Sequence, residues 1–518
     1  MRGWSVIAVV ALAGCSSPAA SPSPSPVTDG GPEITSSELR RDLFAFAADS
    51  MRGRETGTVD ADRAARFLAA RVERLGLEPA GDSLYMQRVP LQRETFSRTS
   101  RIAVTEAGRS TPLRIGSDVV PVVSLGAGVP PTKSRAEGQL VYAGYVLRTK
   151  NSRRDDLADI DLEGKVVVVM NGAPAGTDTA TRALLESETA ISERLALILP
   201  RRPAAVVVML TGEGKTTFAE AAPPLERMVT ARSRGVDIPD ADRPLPMILL
   251  AAPRAGSPLL PARWPADDRP QVLAGRHFSA QVDQERTAIN AFNVVAVIRG
   301  SDPALSRTFV ALGAHYDHLG ILPPVRGDSI ANGADDDGSG SVALLAMART
   351  IQNVSVRPRR SMVFVWHVGE EKGLLGSEYF VQHPTVPIDS IVAQLNVDMI
   401  GRNAASVLYT IGPRATPNNL SRRLGMVADS VNAAQPLPFV INREWDAAEH
   451  PERMFERSDQ FNYARKGIPV VFFTTGMHED YHKATDAPAK IDYEKLARVA
   501  RLVRDVSVAV ANSGQRPR

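Results

Sequence analysis

Cysteine is almost absent from this chain of 518 residues: Cys15 stands alone, so no intramolecular disulfide can form. A long apolar run is also missing; the stretch from Val6 to Leu12 is far too short to span a bilayer as a helix. Charge is nearly balanced, with a formal net of +3, and the basic pairs Arg201-Arg202 and Arg359-Arg360 are isolated. No basic stripe with interleaved aromatics exists, which argues against a nucleic-acid partner. Two catalytic signatures are lacking as well. There is no Gly-x-Ser-x-Gly, and Gly212–Thr216 fails as a phosphate loop because Met209 stands where its first glycine belongs.

What remains is an ordinary globular composition, 43% hydrophobic and 23% charged, in a chain long enough for two domains. The start reads as a secretory signal, with a basic residue, an apolar centre and small residues at Ala13-Gly14. Leu12–Cys15 resembles a bacterial lipobox, which would make Cys15 the lipidated first residue and membrane anchor of an exported cell-envelope protein. Residues 1–15 are then signal, and the Ser/Pro-rich residues 16–33 a tether. Amphipathic spacing predicts helices from Ser36, with a capping residue at its start, and over Asp60–Leu75, ending at Gly76.

Between 115 and 285 short apolar runs recur: Val122–Leu125, Leu140–Tyr142, Val166–Met170, Val206–Leu210 and Met247–Leu250. They read as buried strands, and the region has no His–carboxylate cluster, so a non-catalytic inserted domain is expected there. Strands and helices alternate after about 290, which predicts an α/β fold: a mixed, mostly parallel sheet flanked by helices, formed by residues 34–114 and 286–512 with a short tail at 513–518. Sites in such sheets gather beyond the carboxyl ends of the strands.

Candidate chemistry lies at those ends. His315 is followed two residues on by Asp317, whose carboxylate could orient the imidazole. Asp335-Asp336-Asp337 places three mutually repelling carboxylates before a helix, more than capping needs and suited to a cation. Glu370-Glu371 follows a strand, so that one could bind metal while the other reaches a water. Asp398 closes a very apolar strand, where an unpaired carboxylate would be costly. His482 offers a second imidazole, with Asp459 and Asp486 as partners behind it.

The segments HYDHLG, GADDDGSG, GEEKGLLGS, NVDMIG, RSDQF and DYHKATD together resemble peptidase family M28, the co-catalytic zinc aminopeptidases with a zinc-dependent exopeptidase fold. GKVVVVMNG and PAAVVVML resemble strands of the protease-associated (PA) domain that many members carry inserted. The resemblance implies two Zn2+ ions, with Co2+ or Mn2+ as substitutes: His315 and Asp398 on one, Glu371 and His482 on the other, Asp336 bridging. It further implies a cis peptide after Asp336, a supporting place for Asp317 and Asp337, Glu370 as general base toward a metal-bridging hydroxide, and Tyr481 at the tetrahedral intermediate. The substrates implied are peptides with a free N-terminus. Where many relatives have Ser-Asp-His, this chain has Ser458-Asp459-Gln460, which puts contacts near Gln460 in question. The same scaffold also serves carboxypeptidases, single-zinc glutaminyl cyclases and non-catalytic receptors; a receptor would be expected to have lost ligands. Leu437–Ile441 and the Trp445 loop are candidates for the pocket wall.

Overall fold

The computed structural model describes residues 33–122, 133–147, 155–187, 190–211, 217–219, 221–222, 228–231, 246–265, 269–325, 327–450 and 452–517. The signal, Cys15, residues 16–32 of the tether and the Gly212–Thr216 loop lie outside them.

Two sheets organise the chain. The first has nine strands, and at its centre Ser361–His367, Phe309–His315, Ile391–Val397 and Val470–Thr474 run parallel to one another. Phe292–Ile298 and Val407–Ile411 flank them antiparallel. Alternation explains the layering. Val310, Leu312 and Ala314 enter one buried cluster while Phe309 and Ala311 enter another, and neighbouring strands divide their side chains the same way. Both faces are therefore apolar, as a parallel sheet under helices requires. The helices Ser36–Phe46, Val59–Arg74, Gly340–Gln352, Arg422–Ala433 and Tyr493–Asn512 contribute to the first cluster, and Leu375–Gln382 and Gln460–Arg465 to the second.

The expected helix starts and stops have identifiable causes. Thr35, one residue before the expected start, caps the first helix by accepting from the Glu38 amide. The second helix ends where Gly76 turns to φ +70°.

The second sheet has ten strands, and alternating residues of Val166–Asn171 and Ala205–Leu210 again feed two separate clusters. Its extent differs from the 115–285 expected. Leu91–Phe96, Arg101–Glu106 and Arg109–Pro112 belong to it, and its longest strand, Gln271–Ile289, runs past 285. These strands are polar and partly exposed (Arg109–Pro112 wholly so), so they carry no apolar run to read. Of the expected Val122–Leu125 strand only Val122 lies within the described residues, as the last residue of the strand Val119–Val122. No helix among the described residues is long and apolar enough to cross a membrane.

Candidate active site

Each of the four central parallel strands delivers part of one constellation at its carboxyl end. His315 is the last residue of Phe309–His315, Glu370 and Glu371 follow Ser361–His367, Asp398 follows Ile391–Val397, and His482 lies beyond Val470–Thr474. The bend Ala334–Ser339 brings in Asp336, and the Asp336–Asp337 peptide is cis.

Asp336 stands at the middle. Its Oδ1 is 3.1 Å from His315 Nε2, and its Oδ2 is 3.2 Å from His482 Nε2. On the first side, Asp398 Oδ1 lies 3.5 Å from His315 Nε2 and Glu370 Oε2 4.0 Å from it. On the second, Glu371 Oε2 lies 3.2 Å from His482 Nε2. All five expected ligands thus meet in one place. Donors about 2.0–2.2 Å from a tetrahedral zinc lie roughly 3.3–3.5 Å from each other, which these separations approach. Two of the atoms are orphans: His315 Nε2 and Asp398 Oδ1 are buried with no hydrogen-bond partner. A buried donor set left open in this way suits a cation better than any protein group.

Charge points the same way. Asp317, Asp335, Asp336, Asp337, Asp398, Asp459 and Asp486 are all buried around the site. Burial and the neighbouring carboxylates Glu371, Asp398 and Asp459 push Glu370 well above the usual carboxylate range, with His315 opposing. Burial likewise raises Asp398, and it raises Asp459 to about 7. Burial would depress His482, yet Glu371 and Asp336 raise it to about 10. So dense a set of carboxylates is the electrostatic imprint of missing positive charge.

The supporting contacts correct three sequence expectations. His315 Nδ1 is held by the backbone carbonyl of Asp317 at 3.1 Å, not by its carboxylate, which is 3.8 Å away. That carboxylate, two residues beyond the strand end, instead accepts from Thr56 Oγ1 at 2.7 Å and the Glu370 amide at 3.2 Å. Asp486 does not orient His482: it accepts from the amides of Asp335 and Asp336 and fixes the central bend. Asp459 is felt by His315, Glu370 and Asp398 on the opposite side of the centre, with both carboxylate oxygens unpartnered. Asp337 does support the site, through the amides of His315, Gly340 and Met399.

One further position, His318, was not singled out in the sequence. His318 is fully buried and its Nδ1 is 2.7 Å from Glu371 Oε1, which leaves Oε2 turned toward His482. Ser458 donates to Asp398 Oδ2 at 2.7 Å, leaving Oδ1 as the orphan. Gln460, the departure from the family pattern, is buried and donates to the Phe455 carbonyl, facing away from the pocket.

A pocket of about 240 Å³ opens over Asp336, Glu370, Glu371 and Asp398. Its apolar wall is Leu374, Met399, Met454, Phe472 and Met477. Neither Leu437–Ile441 nor Trp445 lines it: Leu437 and Val440 are exposed, and Trp445 stacks on Tyr409 at 4.4 Å. Tyr481 does line it, its ring stacked on His482 at 3.8 Å and its hydroxyl 3.4 Å from Arg457.

Comparison with known proteins agrees with this geometry. Residues 293–507 match the profile of peptidase family M28. A probable leucine aminopeptidase of Arthroderma otae is 27% identical over 235 residues, covering 43% of this chain and 58% of that protein. Probable leucine aminopeptidase 2 of Aspergillus oryzae is 35% identical over 130 residues, 25% of this chain and 23% of its own length. The chain therefore spans little more than half the length of the first relative. Among solved structures, an aminopeptidase from Aneurinibacillus sp. strain AM-1 shares the fold at TM-score 0.56 and 18% identity, covering 93% of this chain and 96% of that one. A zinc aminopeptidase from Bacillus subtilis does so at TM-score 0.51 and 17% identity, covering 92% and 95%. The five metal-type donors that converge at the strand ends thus lie inside residues 293–507, the span that is similar to peptidase family M28.

Proposed function

We propose that the protein is a dizinc aminopeptidase that removes the first residue of peptides with a free N-terminus. The observation that carries this reading is the position of Asp336, whose two oxygens face two imidazoles on opposite sides. His315 and Asp398 would hold one ion, Glu371 and His482 the other, with Asp336 shared. When bound, such a pair supplies Lewis acidity toward a peptide carbonyl and a water made acidic near neutral pH.

The chain's own residues do the rest. Glu370, beside the donor set and open to the pocket, takes a proton from the attacking water and returns it to the leaving amine. Its raised affinity for a proton, from burial and like charges, suits that exchange. The Tyr481 hydroxyl, held by Arg457, faces the place where the carbonyl oxygen gains charge. The carboxylates favour a substrate's free ammonium, and the apolar wall receives its first side chain. The second sheet, read as a PA-like insertion, carries no cluster of metal-type side chains among its described residues and is assigned no catalytic part.

The direct test is product analysis. An unblocked peptide should release its first residue, the N-acetylated peptide should be inert, and chelation should abolish release until zinc is restored. Cleavage of the acetylated peptide, or cyclisation of an N-terminal glutamine without hydrolysis, would overturn the reading. We also propose that Cys15 is the lipid anchor, so Cys15→Ala should move the protein from the membrane to the soluble fraction.

A further inference from the structure

Arg54 lies far outside the family-matched span, yet its guanidinium sits directly beneath the centre. It is fully buried. None of its hydrogen bonds goes to a carboxylate: Nε donates to the Tyr316 carbonyl at 2.8 Å, one terminal nitrogen to Asn332 at 2.6 Å and Phe46 at 3.4 Å, and the other to Gly333 at 2.8 Å. Its guanidinium also lies over the Phe46 ring, 4.7 Å from the centroid. A buried cation hydrogen-bonded only to main-chain oxygens is costly to keep, so its position needs a reason.

The contacts supply one. Tyr316 follows His315, and Asn332-Gly333 lead into the bend that carries Asp336. A single rigid fork therefore ties together the two loops whose side chains face each other at 3.1 Å. The turn that presents it is shaped for the purpose. Gly53 is at φ +69°, and a Cβ there would stand 2.5 Å from the carbonyls of both Gly320 and Ala331, the ends of the same two loops. Arg54 itself is left-handed at φ +49°. Its charge lies within reach of Asp317, Asp336, Asp337 and Asp486, and burial lowers its pKa only to about 10, so it stays cationic at neutral pH.

We infer that Arg54 is a positioning residue of the metal centre, setting the spacing of His315 and Asp336 through the backbone of both loops. This rests on the dizinc reading above. The test uses the full chain with Arg54→Lys and Arg54→Gln. Zinc affinity is measured by competition with a chromogenic chelator, the Co2+-substituted protein by its visible spectrum, and the apo-protein by circular dichroism and melting in EDTA.

Lysine keeps the charge but loses the fork. Arg54→Lys should fold as the wild type does and melt as it does without metal, yet bind zinc about 10–100-fold more weakly, the scale of lost support behind a ligand. Its Co2+ spectrum should shift, and kcat should fall by a similar factor with KM changed less than about threefold. Arg54→Gln should lose at least as much. Folded variants with wild-type zinc affinity and Co2+ spectrum would overturn the inference. So would variants that stay unfolded in excess zinc, since Arg54 would then determine the fold and not the centre. A wild-type chain that binds no divalent ion would sink the dizinc reading itself, a result separate from either of these.

Discussion

At the scale of single residues, the proposed function divides the work between Asp336, which would hold the ions, and Glu370, which would react. Asp336 reaches both imidazoles, so Asp336→Ala should strip the centre of its ions and of activity together, as metal analysis after dialysis would show. Glu370 lines the pocket but is the farthest of the three carboxylates within 4.0 Å of His315 Nε2. Glu370→Gln should therefore keep its metal while turnover falls about 10²–10⁴-fold, the usual worth of a general base. Near-normal kcat in that variant would remove Glu370 from the chemistry. His367 shows the opposite use of a histidine. It is packed between Phe380 and Tyr463, and burial lowers its pKa to about 3. The unfolded chain would bind that proton near pH 6.5 and the folded chain would not, so acid costs stability from about pH 6.5 down toward 3. The raised carboxylates act in the opposite direction over the same range, so the difference is the readout: in EDTA the urea midpoint of His367→Gln should gain on that of the wild type between pH 7 and 5.

At the scale of elements, the strand ends set the site and the turns behind them set its accuracy. Thr56 Oγ1 donates 2.7 Å to Asp317, whose backbone carbonyl in turn holds His315. Thr56→Val would leave a buried carboxylate oxygen short of a donor and should cost about 1–3 kcal/mol in chemical denaturation. The same scale explains what could be read in the sequence. Val-rich strands buried on both faces, followed by a carboxylate or imidazole, declare themselves, which marked His315, the pair Glu370-Glu371 and Asp398 as candidates; the choice of Asp336 among its neighbours and of Glu371 within its pair came only from the resemblance to family M28. Arg54 and His318 were not legible. Arg54 lies in a polar stretch whose left-handed turn has no periodicity, and His318 looks like a neighbour of His315 until the fold aims it at Glu371. The edge of the second sheet was missed for a related reason, because Arg109–Pro112 is exposed throughout and has no apolar face to detect.

At the scale of the whole molecule, one sheet holds the acidic centre and the other supplies none of its donors; two buried clusters lie mainly on each, and Leu91 and Val229 of the second sheet join a cluster of the first. Concentrating carboxylates in a fold nearly neutral overall makes stability depend on cations. Chelation should lower the melting temperature, and zinc at about 100 times its dissociation constant should return roughly 2.7 kcal/mol per site. A melting curve indifferent to both would mean that the carboxylates are neutralised by protons alone.

The central claim is that two cations flank Asp336, and anomalous scattering from crystals of the zinc-loaded chain tests it most directly. The account predicts two zinc peaks, one shared by His315, Asp398 and Asp336 and the other by Glu371, His482 and Asp336. Crystals with no peak at this site, or with zinc bound only elsewhere on the molecule, would contradict it.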